Sequence, residues 1–245
     1  MDILLNENER LDDLEYKGMR LIQDKNGYCF TSDAVLLANL VRAGKNDVVA
    51  DFGCGNGVVA LLVAAKTTAK SVIGIEMQEC AFELAERNVA LNAMQDRIRL
   101  INDDIANADK VLGKESVSVV VCNPPYFEKN SGQKRISESV ALSRHESTCS
   151  LDDIITKASE VLKYGGKLWM IHKCERMAEV LTSMSNRGVE PKKVTLIYPK
   201  ADKIPDTFVV EGKKSSAHGM KIDSIIVYDQ EGNMTEQAKK LYNKS

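Results

Sequence analysis

The sequence predicts an α/β protein with a Rossmann-like, doubly wound and mostly parallel seven-stranded sheet, covered by helices on both faces. Short runs of β-branched residues alternate along the chain with segments whose apolar positions recur at helical spacing. The first five runs are apolar almost throughout, which is typical of parallel strands buried on both faces. Because such a sheet binds ligands beyond the carboxyl ends of its strands, the loops that follow the strands form the candidate site.

The predicted elements alternate in regular order. The strands are short and rich in valine and isoleucine, and they cover 47–51, 71–75, 98–101, 117–122, 167–172, 194–198 and 221–228. The helices have amphipathic or apolar spacing, and they cover 32–42, 58–66, 79–93, 151–162, 175–187 and 235–242.

Three parts of the chain differ in character. We expect residues 1–46 to form an N-terminal extension packed on the core, 47–228 to form the core domain, and 229–245 to form a tail that contains the last helix. The polar stretch 127–150 predicts a long loop or lid. Loops longer than about 12–15 residues in compact domains are usually functional or disordered, so this one is a candidate substrate-binding element.

Length and composition describe an ordinary globular protein. The 245 residues carry a net charge of −2, and a chain of this length can bury a full core without disulfides or metal ions. The six cysteines include no C-x-x-C pair, and no histidine spacing indicates a metal site. The N-terminus is acidic, and the longest uncharged apolar run, Val58–Ala65, falls well short of the roughly 20 residues of a membrane span. We therefore expect a cytoplasmic protein with no membrane partner.

A glycine-rich loop follows the first predicted core strand. Its sequence, Asp51-Phe-Gly53-Cys-Gly55-Asn-Gly57, opens a helix, and glycines in this position let the backbone approach a nucleotide closely. The spacing G-x-G-x-G differs from the G-x-G-x-x-G of dinucleotide sites. It argues against a dehydrogenase and favours a cofactor without a pyrophosphate, although the motif alone is also compatible with a simple tight turn.

Acidic residues follow the next two strands. Glu76 lies 19 residues beyond Gly57, where a carboxylate can accept hydrogen bonds from both hydroxyls of a ribose. Asp104 follows the third strand, where it can accept a hydrogen bond from an adenine amino group. Taken singly, Glu76 is also explained as a solvated carboxylate at a strand end, and Asp104 as a helix N-cap. Together with the glycine-rich loop, they predict a site for a cofactor that contains adenosine.

The sequence Asn123-Pro124-Pro125-Tyr126 ends the fourth strand and predicts the reacting site. The prolines fix the backbone and leave carbonyl oxygens as acceptors, Asn123 adds an amide, and Tyr126 offers a ring on which a base can stack. Such a set holds a planar amino group by its two hydrogens. When the two hydrogens of the amino group are held out of the plane of the ring, the nitrogen lone pair points at a methyl electrophile. We therefore expect Asn123, Pro124 and Tyr126 to be catalytic.

These motifs resemble those of the class I S-adenosylmethionine-dependent methyltransferases that act on planar amino groups. Upstream Gln23-Asp24, residues 28–38 and downstream Arg144-His145-Glu146 look like the bacterial family that methylates N6 of the adenine beside the anticodon of valine tRNA. The resemblance implies S-adenosylmethionine as cofactor and tRNA as partner. The cofactor-binding residues that it implies are Phe30, Thr31, Asp51, Gly53, Gly55, Gly57, Glu76, Asp104 and Asn123.

The leading hypothesis is therefore an N6-adenine methyltransferase of tRNA. Enzymes with the same tetrapeptide methylate a glutamine amide of release factors or guanine N2 of ribosomal RNA, and these remain alternatives. A cofactor-binding, RNA-binding module without turnover is the non-enzymatic alternative. Residues 126–228 carry 17 basic and 13 acidic side chains, and seven lysines between 192 and 221 predict a face for a polyanionic substrate.

Overall fold

The structure is a computed structural model that describes residues 5–27, 30–124 and 149–242. A hairpin of β1 (Glu9–Asp13) and β2 (Arg20–Asp24) precedes the central sheet. The eight strands of that sheet are β3 (Val48–Phe52), β4 (Ser71–Glu76), β5 (Ile98–Asn102), β6 (Val117–Cys122), β7 (Leu162–Lys173), β8 (Val189–Lys200), β9 (Thr207–Lys214) and β10 (Lys221–Tyr228).

The central sheet has the strand order β10-β8-β9-β7-β6-β3-β4-β5. Every neighbouring pair is parallel except the two pairs made by β9, which runs antiparallel to both β7 and β8. From β3 the chain first builds outward through β4 and β5, and then returns to place β6 on the other side of β3. The gap between β3 and β6 is therefore the topological switch point, where doubly wound folds bind ligands.

The predicted fold class is confirmed, with one strand more than the seven expected. All seven predicted strands are present, and β9 is the addition. Its fully apolar run, Phe208–Val210, is only three residues long and is followed by Glu211 and Gly212. That pattern is too short to be recognised as a strand, yet pairing with neighbours on both sides buries it completely.

Helices cover both faces of the sheet. Against one face pack α1 (Ser32–Leu40), α2 (Val58–Lys66), α3 (Glu79–Leu91) and the C-terminal α7 (Glu236–Tyr242). Against the other face pack α4 (Ala108–Leu112), α5 (Leu151–Val161) and α6 (Met177–Asn186). None of the helices in the described ranges is long and apolar enough to span a membrane.

The central strands supply both apolar layers. Along β6, Val119 and Val121 contact the first helix layer, whereas Val120 and Cys122 contact the second. Because successive side chains of a strand point to opposite faces, a strand covered on both sides is apolar throughout. This burial explains the nearly unbroken apolar runs of the central strands.

Candidate cofactor and active site

Residues of the predicted site meet at the carboxyl edge of the sheet. Phe52 of β3 is paired with Cys122 of β6, so the glycine-rich loop and Asn123 leave two neighbouring strands at the same level. Glu76 ends β4, the neighbour of β3 on the other side, and Asp104 follows β5. The switch point therefore has the glycine-rich loop on one side and Asn123 on the other.

The glycine-rich loop depends on left-handed backbone conformations. Gly53, Gly55 and Gly57 have φ values of +70°, +53° and +86°, which residues with a Cβ atom rarely adopt. The N–H groups of Gly53 and Cys54 both donate to the carbonyl of Ile75 at 3.0 Å. A Cβ atom added at Gly55 would contact nothing within 4 Å. The loop is thus fastened to β4 and leaves open space beside Gly55.

Glu76 connects the end of β4 to this loop. Its Oε2 accepts a hydrogen bond from the N–H of Gly55 at 2.9 Å, and its Oε1 accepts one from the N–H of Gln78 at 2.9 Å. The residue is only 9% exposed, and burial raises the pKa of its carboxyl group above the ordinary value. Each oxygen retains lone-pair capacity for a further donor.

Asp51 is a buried carboxyl group with an unused oxygen. It is 1% exposed, and its Oδ2 has no hydrogen-bond partner among the described residues. Burial, together with the nearby charge of Glu76, raises its pKa to about 7, against a hydrogen bond from the Ala60 backbone that lowers it. A buried carboxylate is stabilised by an adjacent positive charge. Asp51 therefore provides an acceptor suited to a cationic group.

Asp104 lies at the start of the 3₁₀ turn Ile105–Asn107, after β5. Its Oδ1 accepts hydrogen bonds from the N–H of Ala106 at 2.9 Å and from the thiol of Cys149 at 3.4 Å. The Cys149 contact joins the loop after β5 to the segment before α5, where Ser150 forms a capping box with Asp153. Asp104 is thus held in place from both sides.

Asn123 and Pro124 directly follow β6, where Asn123 is half-buried and Pro124 is buried. The predicted catalytic residue Tyr126 and all of the predicted lid except Cys149 and Ser150 lie outside the described residues. The other two predicted residues, Thr31 and Phe30, lie in the N-terminal part of the chain. Thr31 is the exposed N-cap residue of α1, and Phe30 packs against the apolar cluster beneath that helix.

Three contacts of the site were not predicted from sequence. Gln23, 1% exposed, accepts a hydrogen bond from the N–H of Phe30 at 2.9 Å. Asn88 of α3 is fully buried and donates from Nδ2 to the carbonyls of Ile22 and Asn56, both at 3.0 Å. The hairpin is thereby joined to the glycine-rich loop. The sequence did contain a signal for the Asn88 contacts, because Asn88 stands beside Val89 on the buried side of an amphipathic helix.

Gly74, in the middle of β4, was also missed. A Cβ atom there would lie 2.8 Å from Sγ of Cys54 and 2.8 Å from Cδ2 of Leu100. Those distances are too short for carbon and sulfur atoms, so only glycine lets the loop pack against β4. A lone glycine within a strand is a known sign of such close approach.

The prediction that the seven lysines between 192 and 221 form one basic face beside the candidate site is wrong for most of them. β9 runs antiparallel, so its last residues lie at the amino edge of the sheet, beside the first residues of β8 and β10. Only Lys200 and Lys203 lie near the carboxyl edge. At the opposite edge are Lys192, Lys193, Lys213, Lys214 and Lys221.

The sheet order, with a glycine-rich loop at its switch point, defines a Rossmann-like protein of the class that binds nucleoside-containing cofactors. A family model described as "Methyltransferase small domain" matches residues 31–190. The chain belongs to this family, which confirms the resemblance to methyltransferases.

Solved structures share the fold. A protein of Agrobacterium tumefaciens described as a predicted O-methyltransferase superposes with a TM-score of 0.70 at 24% identity, covering 86% of this chain and 95% of that chain. The geranyl diphosphate C-methyltransferase of Streptomyces coelicolor A3(2), solved with S-adenosyl-L-homocysteine, superposes with a TM-score of 0.55 at 14% identity, covering 75% of each chain. Both superpositions support the Rossmann-like fold described above.

Curated relatives are named for one reaction. The tRNA1(Val) (adenine(37)-N6)-methyltransferase of Porphyromonas gingivalis is 28% identical over 163 residues, which are 66% of this chain and 63% of that protein. The protein of the same name from Vibrio campbellii is 22% identical over 233 residues, covering 94% of this chain and 95% of the relative. The alignment with the Porphyromonas protein thus spans less than two thirds of that relative.

Proposed function

We propose that this protein transfers a methyl group from S-adenosylmethionine to the exocyclic N6 amine of an adenine in tRNA. The observation that carries the proposal is the meeting of the glycine-rich loop and Glu76 with Asn123-Pro124 at one edge of the sheet. Membership of the methyltransferase small domain family supports the reaction class. The names of the curated relatives support adenine beside the anticodon of valine tRNA. The reaction would take place in the cytoplasm, where tRNA functions.

The residues present fit S-adenosylmethionine. The unpartnered Oδ2 of Asp51 suits the ammonium group of the methionine part, and Glu76 keeps acceptor capacity for the ribose hydroxyls. Asp104 is the acceptor proposed for the adenine amino group. The backbone of the glycine-rich loop would lie against the cofactor beside Gly55. The proposed contacts also include Gly53, Gly57, Phe30, Thr31 and Asn123.

Asn123 and Pro124 support an amino group as the methyl acceptor. The side-chain oxygen of Asn123 and the carbonyl oxygen of Pro124 can each accept one hydrogen of a planar amine. An amine held in this way loses conjugation with its ring, so its lone pair becomes available. The bound cofactor supplies an electrophilic methyl group on a sulfonium sulfur. Tyr126 completes the proposal as the surface on which the base stacks.

The proposal is tested with purified protein, labelled S-adenosylmethionine and total tRNA from a strain that lacks the gene. We expect mass spectrometry of the digested tRNA to identify N6-methyladenosine, and Asn123→Ala protein to give almost none. Parallel reactions contain ribosomal RNA and a release-factor peptide. Label in guanine or glutamine, with none in adenine of tRNA, would assign the protein to one of the alternative substrates.

A further inference from the structure

A polar cavity lies at the opposite edge of the sheet from the glycine-rich loop. Its volume is about 460 Å³, and it is lined by the C-terminal ends of α1 and α2, by β8 and β10, and by α7. The C-terminal residue of α2, Lys66, is at this edge because the helix returns from the carboxyl end of β3. The volume falls within the range of about 300–1,000 Å³ that is usual for small-molecule sites. The proposed methyl transfer makes no use of this cavity.

Asn39 lines the cavity and has an unpartnered side-chain donor. The residue is 8% exposed, and its Nδ2 has no hydrogen-bond partner in the part of the chain that the structure describes. Its Oδ1 accepts a hydrogen bond from Nζ of Lys66. Exchanging the two amide atoms would place donor against donor, so this contact fixes the orientation of the amide. A buried amide donor is normally satisfied, and none of the described residues supplies a partner for this one.

Lys66 brings a positive charge to the same wall. Its Nζ lies 4.5 Å from the centroid of the Tyr16 ring, and burial lowers the pKa of its ammonium group. Within the described ranges, no carboxylate lies within 4.0 Å of this nitrogen. A partly desolvated cation without a counter-ion favours the approach of an anion.

Two of the three other charged residues that line the cavity are also positive. Arg42 donates from Nη1 to the carbonyl of Asn39 at 2.8 Å, which fixes its guanidinium beside the cavity. Lys240 of α7 contributes a third positive side chain. The single acidic residue among the described lining residues, Asp223, is already paired with Lys193 at 2.8 Å. The cavity is therefore electropositive.

We propose that this cavity binds a small organic anion, whose carboxylate or phosphate group contacts Asn39 and Lys66. Its apolar part would lie against Leu40, Ile225 and Leu241, which also line the cavity. The anion supplies the acceptor that the Asn39 amide lacks and the counter-charge that Lys66 lacks. The proposal is independent of the methyl-transfer reaction, and its test uses no substrate or cofactor.

The test is isothermal titration calorimetry of the full-length protein with three probes of similar size. Phenyl phosphate and benzoate carry the two anionic groups, and benzyl alcohol is the uncharged control. We expect saturable one-to-one binding of at least one anion at millimolar concentrations and no binding of the alcohol. Comparing the two anions shows whether the site prefers phosphate or carboxylate.

Matched variants locate the binding. Asn39→Leu and Lys66→Met should each weaken the preferred anion about tenfold or more, because each removes a charged or hydrogen-bonding contact. Lys70→Met, at an exposed lysine outside the cavity, should bind as the unaltered protein does. Circular dichroism verifies folding, and Lys66→Met decides the question if Asn39→Leu does not fold. Absence of saturable anion binding, equal binding of benzyl alcohol, or unchanged binding by Lys66→Met would overturn the proposal.

Discussion

The backbone N–H of Gly55 donates a hydrogen bond to Oε2 of Glu76 at 2.9 Å, and this contact joins the loops after two neighbouring strands. Glu76 therefore does two things. It holds the glycine-rich loop in its left-handed conformation, and it presents acceptor capacity at the edge where we propose that the ribose binds. A substitution that keeps its shape but removes its charge affects both roles, because an amide has one acceptor oxygen where the carboxylate has two.

Glu76→Gln is expected to weaken S-adenosylmethionine binding about ten- to a hundredfold. The single glutamine oxygen can accept from only one of the two backbone N–H groups that Glu76 holds, and the charge-assisted bonds to the ribose are replaced by weaker neutral ones. Calorimetric titration measures the dissociation constant. Glu86→Gln, on the exposed side of α3, is the control and should bind normally. An unchanged dissociation constant for Glu76→Gln would remove Glu76 from the cofactor site.

Asn123→Ala is expected to lower kcat by a factor on the order of a hundred or more and to weaken cofactor binding far less. Its proposed contact to the substrate amine gains strength as the nitrogen leaves the plane of the ring, so its loss acts on the transition state. Single-turnover kinetics and calorimetry measure the two quantities separately. Asn186→Ala, at an exposed position at the end of α6, is the matched control. Equal losses of turnover and affinity would contradict the assignment.

Asp51 predicts a pH dependence of stability. Its pKa rises from 3.8 to about 7 in the folded protein, so between these values the folded state keeps a proton that the unfolded chain has released. Stability therefore falls as pH rises through this interval. Relative to Asp51→Asn, the unaltered protein should lose on the order of 3 kcal/mol of unfolding free energy between about pH 5 and pH 8. Urea denaturation measures both proteins.

Cofactor binding should show the opposite pH dependence. The ammonium group that we propose beside Asp51 binds the ionised carboxylate better than the protonated acid. S-adenosylmethionine affinity should therefore increase as pH rises through about 7, and this increase should be smaller in Asp51→Asn. A pH dependence that is the same in both proteins would show that Asp51 does not contact the ammonium group.

Asn88→Ala is expected to destabilise the protein by on the order of 3 kcal/mol, because it leaves buried backbone groups of Ile22 and Asn56 without partners. Asn92 makes similar contacts to Arg20, but at the solvent-exposed end of the same helix. Asn92→Ala should therefore have an effect of about 1 kcal/mol or less. Chemical denaturation of the two variants tests this difference, and equal effects would argue against a special role for the buried amide.

Much of the fold and of the site was predictable because it depends on local patterns. Strands buried on both faces leave unbroken apolar runs, and Gly53, Gly55, Glu76 and Asn123 stand out because they interrupt or end those runs. Strand ends of a parallel sheet converge on one edge, so residues distant in sequence were correctly expected to meet there. The helix predicted over 58–66 has those bounds in the structure.

Features that depend on pairing between distant segments of the chain were not contained in the local sequence patterns. The direction of β9 is set by its bonds to β7 and β8, and this direction places Lys213 and Lys214 at the edge of the sheet opposite the candidate site. The unsatisfied oxygen of Asp51 and the amide of Asn39 likewise become evident only when every neighbour is in place.

The sequence by itself thus determined the alternation of the seven predicted strands with the main helices and the residues at the carboxyl ends of the core strands. Burial and periodicity act on neighbouring positions of the chain and therefore leave a readable pattern. Only the tertiary structure decided strand direction, the amide contacts of Asn88 and Gln23, and the electropositive cavity around Lys66. These features depend on groups that lie far apart in the chain and meet only when it is folded.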